Sequence, residues 1–229
     1  MQKTNNKLLI ANWKSHKTLT DGLEWMRIFT SFDLTLLHHQ LQIVICPPAS
    51  LLYPLKIFIE QYPTITLGAQ DIASNPAGAH TGEISAENLV GLIQYVIIGH
   101  SEIRKKYNLT EEEIKAKITI AQKFAFNPIV CINEKTKLDY DADIVVFEPP
   151  SAINYGTPHV KTVEEVKNVK QKLLVPEVEG ETQPSTFLYG GSVSPDNADD
   201  FLKDDVVDGF LVGTNSLDPL SFFSIAQKF

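Results

Sequence analysis

Apolar residues occur along this chain in eight short, nearly continuous runs that are rich in β-branched side chains. The runs are KLLIAN (7–12), QIVIC (42–46), TITLGA (64–69), YVIIG (95–99), PIVCI (128–132), DIVVF (143–147), TFLYG (186–190) and DGFLVG (208–213). A strand with one face in solvent alternates polar and apolar residues, whereas a parallel strand covered on both faces is apolar throughout. The pattern therefore predicts eight buried parallel strands.

Amphipathic stretches separate most of these runs and predict helices. In the stretch LTEEEIKAKITIAQKF (109–124), Thr110 can cap a helix and Glu113 completes a capping box three residues later. In VKTVEEVKNVKQKLL (160–174), valines recur at helical spacing. Further helices are predicted within 19–32, 49–61, 197–202 and 220–229.

The repeated alternation of strand and helix, with no linker between halves, predicts one α/β domain over residues 1–229. A closed (β/α)8 barrel, the TIM-barrel architecture, fits better than a doubly wound sheet, because eight strands are present and each ends in polar or glycine-rich residues. Only the short segment 133–142 separates the fifth and sixth strands, so we expect a shortened or missing fifth helix. The acidic segment 175–185 contains Pro and Gly and predicts a surface loop.

Charge, cysteine content and the first residues of the sequence indicate which partners, metal sites and locations to expect. The 229 residues include 20 basic and 28 acidic side chains, a net charge of −8, which argues against a nucleic acid or an anionic membrane as partner. Cys46 and Cys131 end two apolar runs and have no metal-ligand spacing, so we expect buried free thiols and no metal site. The beginning of the sequence lacks a secretory apolar stretch, which predicts a soluble cytoplasmic protein.

Three strand ends carry reactive side chains where an eightfold barrel gathers its chemistry. Lys14 follows the first strand, His100 the fourth and Glu148 the sixth. Lys14 could hold an anion or be a solvated surface charge, and His100 could be reactive or a hydrogen-bonded residue of the rim. A carboxylate such as Glu148, with little water around it, suits a general base; it could equally be a salt-bridge partner at the rim.

Two glycine-containing turns predict an anion site. YGGSV (189–193) and VGTNS (212–216) follow the seventh and eighth strands. Glycines at such turns let backbone N–H groups approach an oxyanion, and this pair of turns is the usual phosphate site of the fold. The nearby segment PPSAINYGTP (149–158) has stiff ends and small polar residues, which suit either a lid or an ordinary connection.

Taken together, these segments resemble the triosephosphate isomerase family. The likeness covers essentially the whole chain and is carried, in the family's order, by ANWK (11–14), GAQDIASNPAGAHTGEIS (68–85), IIGHSEIR (97–104), CINE (131–134), FEPPSAINYG (147–156), LYGGSV (188–193) and DGFLVGTNSL (208–217). The resemblance implies an isomerase that needs no cofactor and interconverts dihydroxyacetone phosphate and D-glyceraldehyde 3-phosphate through an enediolate, in glycolysis and gluconeogenesis.

The resemblance also implies roles for individual residues. Glu148 would be the base and His100 a neutral electrophile, and Lys14 and Asn12 would hold the phosphate and oxygens of the substrate. His100 precedes a helix that is expected to begin at Ser101, and the positive end of that helix disfavours a charged imidazole.

Further positions follow from the same resemblance. Asn154, Ser192, Gly213 and Thr214 would bind the phosphate. Glu102 would stay away from the substrate and pair with Lys117 on the next helix.

Two departures from the family leave alternatives open. Asn154 and Thr214 stand where the family commonly has glycine. An isomerase of a longer sugar phosphate, or a barrel that binds a phosphate ligand without catalysis, is therefore an alternative to a triose phosphate isomerase. The full-length third loop, with Ala79–Glu83, favours a homodimer over a monomer by the same resemblance, and a tetramer stays open.

Overall fold

Eight parallel strands form the centre of the molecule. The structure is a computed structural model and describes residues 7–136, 139–149, 161–173 and 183–229. The strands are β1 (Lys7–Asn12), β2 (Leu41–Cys46), β3 (Ile65–Ala69), β4 (Tyr95–Ile98), β5 (Asn127–Ile132), β6 (Ile144–Phe147), β7 (Thr186–Tyr189) and β8 (Gly209–Val212). Each apolar run of the sequence forms one strand, so all eight predicted strands are confirmed.

The strands close into a barrel in chain order, and β8 pairs with β1. Leu8 lies opposite Gly209 in the ladder that closes the barrel. A Cβ atom on residue 209 would overlap the carbonyl group of Leu8. Glycine is therefore required at this contact, because only a residue without a side chain allows the two backbones to approach so closely. The predicted (β/α)8 barrel is confirmed.

Helices cover the outside of the barrel. Those of the described ranges are α1 (Leu19–Ser31), α2 (Leu52–Ile59), α3 (Ser101–Tyr107), α4 (Glu111–Lys123), α5 (Val163–Leu173), α6 (Ala198–Leu202) and α7 (Pro219–Ala226), with short 3-10 helices that include Ala86–Leu89 and Thr214–Ser216. Thr110 caps α4, and Glu113 completes the capping box as the sequence predicts. None of the helices in the described ranges combines the length and apolar content that a bilayer crossing requires.

The connection between β5 and β6 differs from the others. Its described residues, 133–136 and 139–143, contain no helix, which agrees with the predicted loss of the fifth helix. Three contacts tie it to α4 instead: Tyr140 to Glu111, Asp139 to Lys115, and the carbonyl oxygen of Asp141 to Gln122. The three α4 residues of these contacts are spaced four and seven apart, so they lie on one face of the helix.

Both faces of the strands are buried. One set of side chains fills the barrel, namely Leu8, Ile10, Val44, Cys46, Ile97, Ile129, Cys131, Ile144, Val146, Leu188 and Leu211. The alternate positions, such as Leu9, Ile43 and Val130, belong to the larger apolar layer that includes the helices. This arrangement explains why the strands are apolar throughout. Cys46 and Cys131 are buried free thiols, as the sequence predicts.

Candidate active site

His100 and Glu148 contact each other at the carboxyl end of the barrel. Nε2 of His100 lies 3.1 Å from Oε1 of Glu148, and both residues are buried, with 6 % and 4 % of their surfaces exposed. They follow β4 and β6, which are separated by β5 alone. The barrel therefore brings two strand-end residues 48 positions apart in the chain into direct contact.

The hydrogen bonds of His100 define its protonation. His100 is the N-cap residue of α3, and its Nδ1 accepts the backbone N–H of Glu102 at 3.2 Å. A nitrogen that accepts a hydrogen bond carries no proton, so the ring proton belongs on Nε2, facing Glu148. This tautomer is the neutral imidazole that the position before a helix predicts, and it can donate a hydrogen bond from Nε2.

Backbone groups hold Glu148 in place. Its Oε2 accepts the N–H of Ser101 at 3.0 Å, and its own N–H donates to the carbonyl oxygen of Ile132 at 2.8 Å. Gly190 leaves room for the side chain, because a Cβ atom there would lie 2.9 Å from Cγ1 of Val146 and 3.2 Å from Cγ of Glu148. The Ser101 contact could not be predicted from residue types, since its donor is a backbone N–H.

Lys14 occupies a strained turn directly after β1. Its φ is 51°, in the left-handed region, which costs energy for a residue with a side chain. The Oδ1 of Asn12 accepts the N–H of Lys14 at 3.0 Å, and Nε2 of Gln70 donates to the carbonyl oxygens of Lys14 and Cys46 at 2.8 and 2.9 Å. Gln70 was not among the predicted site residues, although its polar side chain directly follows β3, as a functional residue of this fold would.

Glu102 pairs with Lys14, so the predicted Glu102–Lys117 pair is wrong. The Nζ atom of Lys14 lies 2.6 Å from Oε1 of Glu102, while Nζ of Lys117 donates to both carboxylate oxygens of Asp71 at 2.8 and 2.7 Å. The reason is geometric. Glu102, in the first turn of α3, faces the end of β1, whereas Lys117 reaches from α4 to Asp71, the second residue after β3.

The charges around Glu102 set its ionisation. Burial raises the pKa of Glu102, but the hydrogen bond and charge of Lys14, together with His100 and His16, outweigh burial and hold this pKa below its ordinary value. The carboxylate stays ionised at neutral pH, so it compensates the charge of Lys14.

The two predicted anion turns lie side by side. Asn215 donates from its side-chain amide to the carbonyl oxygen of Val193 at 2.6 Å, which joins the turn after β8 to the turn after β7. Ser192 has a φ of 56° and its carbonyl oxygen accepts from Asn197 at 3.1 Å. A Cβ atom on Gly213 would lie 3.5 Å from Cε of Lys14, so this turn also adjoins the lysine.

Most of the predicted site residues therefore meet at one end of the barrel. Contacts run in sequence from Asn12 to Lys14, from Lys14 to Glu102, and from His100 to Glu148, and Nδ1 of His100 is 3.9 Å from Oε2 of Glu102. Gly213 and Thr214 lie in the turn next to Lys14, and Ser192 lies in the turn joined to it. Asn154, and the predicted lid beyond Pro149, fall outside the described residues.

This combination of fold and site defines a class of protein. A carboxylate and a neutral imidazole in contact at the carboxyl end of a (β/α)8 barrel, beside a lysine and two turns suited to an anion, are typical of barrel enzymes that move protons on phosphorylated small molecules.

Comparison with known proteins identifies the family. The triosephosphate isomerase family model matches residues 7–141 and 135–229. A triosephosphate isomerase of Aquifex aeolicus (strain VF5) is 36 % identical, with 97 % of this chain and 99 % of the relative covered. Those of Dictyoglomus turgidum and Gloeothece citriformis are 34 % and 31 % identical, with 97 % and 96 % of this chain and 99 % and 98 % of the relatives covered. The chain belongs to the triosephosphate isomerase family.

Proposed function

We propose that this protein interconverts dihydroxyacetone phosphate and D-glyceraldehyde 3-phosphate, a reaction of glycolysis and gluconeogenesis. The observation that carries this proposal is the direct contact between a buried carboxylate, Glu148, and the Nε2 atom of a neutral imidazole, His100. The isomerisation needs a base that removes a proton from one carbon and returns it to the next, and a donor for the two oxygens. The family membership supports the same reaction.

Glu148 is the base in this proposal. Its contact of 3.1 Å with His100 leaves no space for a substrate atom between the two side chains. The carboxylate therefore leaves the N–H of Ser101 and turns towards the substrate carbons when the substrate binds. Binding energy at the remote phosphate offsets the loss of these two contacts.

His100 and Lys14 act on the substrate oxygens. The Nε2–H of His100 donates to the carbonyl oxygen and becomes free to do so once Glu148 has turned away. The ammonium group of Lys14 supplies fixed positive charge near the developing enediolate oxygen, an electrostatic contribution of about 3 kcal/mol in comparable sites. Asn12 fixes the backbone turn that presents Lys14.

The phosphate occupies the two joined turns. Backbone N–H groups at Ser192, Gly213 and Thr214 are the proposed donors, because turns of this kind bind oxyanions through the main chain. Asn154 is proposed to add a donor from the segment outside the described residues. The proximity of Gly213 to Lys14 supports this proposal, because a phosphate in the turns and the reacting oxygens of the same small molecule would both lie near the lysine.

A coupled assay with both triose phosphates tests the reaction. Wild-type protein should turn over both, and Glu148→Gln should lower kcat by on the order of a thousandfold, because the amide cannot accept the proton. Glu24→Gln is the matched control, since Glu24 is exposed and pairs only with Arg27 among the described contacts. If Glu148→Gln keeps the wild-type kcat, the assignment of the base is wrong. Binding of 2-phosphoglycolate without turnover by the wild type would favour the alternative of a phosphate-binding barrel.

We also propose that the protein is a homodimer. Three large apolar side chains that follow the carboxyl ends of β1, β2 and β4 are exposed, namely Leu19, Tyr53 and Tyr107, and the long connection 70–94 follows β3. Exposed large apolar side chains favour association. Tyr107→Lys should reduce the mass in sedimentation to that of one chain, while Leu36→Lys, at an exposed site before β2, should not. A wild-type mass of one or four chains would contradict the dimer.

The remaining proposals concern location and domain structure. A cytoplasmic location follows from the proposed substrate, because a charged triose phosphate does not cross a membrane unaided. We propose that residues 1–229 form one domain, which should unfold in a single transition.

A further inference from the structure

A single guanidinium group bridges β4 and β5 at the point where their ladder ends. The last paired residues of the two strands are Ile98 and Val130. The next residues along the chain are Gly99, directly after β4, and Cys131 in β5; their carbonyl oxygens accept hydrogen bonds from Nε and Nη2 of Arg104 at 2.8 and 3.1 Å, respectively. Arg104 thus continues the connection between the strands by one residue pair after the backbone ladder has stopped.

Gly99 makes room for this bridge. Its φ of 72° turns the chain out of β4 and into His100, a conformation that glycine adopts without strain. A Cβ atom on residue 99 would lie 3.0 Å from Nη2 and 3.2 Å from Nε of Arg104. Gly99 therefore allows the turn into His100 and also leaves space for the guanidinium group of Arg104.

Glu111 of α4 and Tyr140 of the connection between β5 and β6 also contact the guanidinium group of Arg104. Nη1 of Arg104 lies 2.7 Å from Oε1 of Glu111, and Nη2 lies 3.4 Å from the hydroxyl oxygen of Tyr140. The Tyr140 hydroxyl donates to Oε2 of Glu111. Tyr140 is buried, and burial, opposed by Arg104 and aided by Glu111, raises its pKa to about 12, so the hydroxyl stays a donor at neutral pH.

Both strand ends that Arg104 joins lead directly to the candidate catalytic pair. His100 follows Gly99 in the chain. Ile132 follows Cys131, and its carbonyl oxygen accepts the N–H of Glu148 at 2.8 Å. Arg104 therefore joins the two backbone segments from which the imidazole and the carboxylate are positioned.

We propose that Arg104 is a positioning residue for the isomerisation and that Tyr140, from the connection between β5 and β6, keeps Arg104 in its working orientation. This inference rests on the proposed function. A displacement of about 1 Å in a reacting group can lower a rate by on the order of a hundredfold. Loss of the bridge should therefore act on kcat, while the phosphate turns after β7 and β8 keep KM near its wild-type value.

The first test compares Arg104→Ala, Arg104→Lys and wild type, with kcat referred to the sites that bind 2-phosphoglycolate. We expect Arg104→Ala to lower kcat by on the order of tenfold or more with KM within about twofold of wild type. The kcat of Arg104→Lys should lie between those of wild type and Arg104→Ala, because an ammonium keeps the charge and cannot span both carbonyl oxygens. Arg27→Ala is the matched control, since Arg27 is exposed and forms only a surface pair with Glu24 among the described contacts.

Chemical rescue separates positioning from loss of structure. Millimolar guanidinium chloride should raise kcat of Arg104→Ala and leave kcat of the wild type unchanged. Sodium chloride at the same concentration should change kcat of neither protein. A variant that had merely lost folded protein would not regain turnover from a small cation. If Arg104→Ala does not fold, Arg104→Lys and the tyrosine variant below decide the proposal.

The second test concerns Tyr140. Tyr140→Phe keeps the buried ring and removes the hydroxyl, so kcat should fall by about threefold, and Tyr62→Phe, at the opposite end of the barrel, should leave it unchanged. In the Arg104→Lys background, Tyr140→Phe should have a smaller effect on kcat, because the group that Tyr140 orients has been altered.

The proposal is overturned if kcat stays within twofold of wild type in the Arg104 variants, or if KM alone changes. If wild type itself does not isomerise triose phosphates, the proposed function fails, and that result is distinct from an active wild type with unaffected variants.

Discussion

Nε2 of His100 lies 3.1 Å from Oε1 of Glu148, and the other oxygen of the carboxylate accepts the N–H of Ser101. Both carboxylate oxygens are therefore contacted by the N-cap residue and the first residue of α3, which follow β4, whereas Glu148 itself follows β6. In the proposed mechanism Glu148 gives up both contacts to reach a substrate, so we expect its reach after rotation to govern the rate.

Shortening this side chain should slow catalysis. In Glu148→Asp the carboxylate is one methylene closer to the backbone and cannot approach both substrate carbons, so kcat should fall by on the order of a hundredfold with little change in KM. Steady-state kinetics in both directions check this. An unchanged kcat would show that the reach of residue 148 does not limit the reaction.

Gln70 should matter for catalysis as well as for stability. Gln70→Met removes the donor to the carbonyl oxygens of Lys14 and Cys46, which should lower the free energy of unfolding by about 1–2 kcal/mol. Because the strained turn at Lys14 loses its support, kcat/KM should also fall by on the order of tenfold.

Gln42 provides a matched control for Gln70. Its amide donates to the carbonyl oxygens of Ile43 and Thr64 at the amino end of the barrel. Gln42→Met should cost similar stability and leave kcat/KM unchanged. Equal losses of activity in the two variants would contradict a specific role of Gln70.

The pair of Glu102 and Lys14 should be visible in titration. Glu102 has a lowered pKa in the folded protein, so its contribution to stability is complete above the ordinary value of 4.5 and is lost as the pH falls through the lower folded-state value. Solvent screens this half-exposed pair, and Glu102→Gln should cost at most about 1 kcal/mol at pH 7. This cost should shrink as the pH falls below about 4.5.

Carbon NMR of the Glu102 carboxyl group measures this directly. The titration midpoint in wild type should lie below 4.5, and Lys14→Met should move it upward. A midpoint that Lys14→Met leaves unchanged would contradict the pairing.

Lys117 should be a structural residue. Its ammonium is buried and paired with Asp71, so Lys117→Met leaves a partly buried carboxylate without its compensating charge and should lower the free energy of unfolding by about 1–3 kcal/mol. Asp71→Asn in the same chain should recover part of this loss, because the uncompensated charge is removed. Unfolding in urea measures both changes. A loss of kcat/KM as large as that of the Gln70 variant would contradict a purely structural role.

The fold could be predicted from the sequence because its signals are local. Each strand is a continuous apolar run, and the cap of α4 is set by Thr110 and Glu113, three residues apart. The shortened or missing fifth helix could be predicted from chain length alone, because a full helix and its two loops do not fit into segment 133–142, and the described residues of that segment contain no helix.

The contacts within the site could be predicted only in part. The strand ends predict that His100, Glu148 and Lys14 lie at one end of the barrel, because parallel strands share that end. The partner of Glu102 could not be predicted, since it depends on which way the first turn of α3 faces relative to β1. The supporting contacts of Ser101 and Arg104 involve backbone N–H and carbonyl groups, which every sequence contains.

Proton exchange with solvent tests the central claim most directly. When dihydroxyacetone phosphate is incubated with wild-type protein in D2O, NMR should detect deuterium at the carbon that gains or loses a proton, and Glu148→Gln should abolish this exchange. Isomerisation that proceeds with equal deuterium incorporation in wild type and Glu148→Gln would contradict the account, because the proton would then be carried by a group other than Glu148.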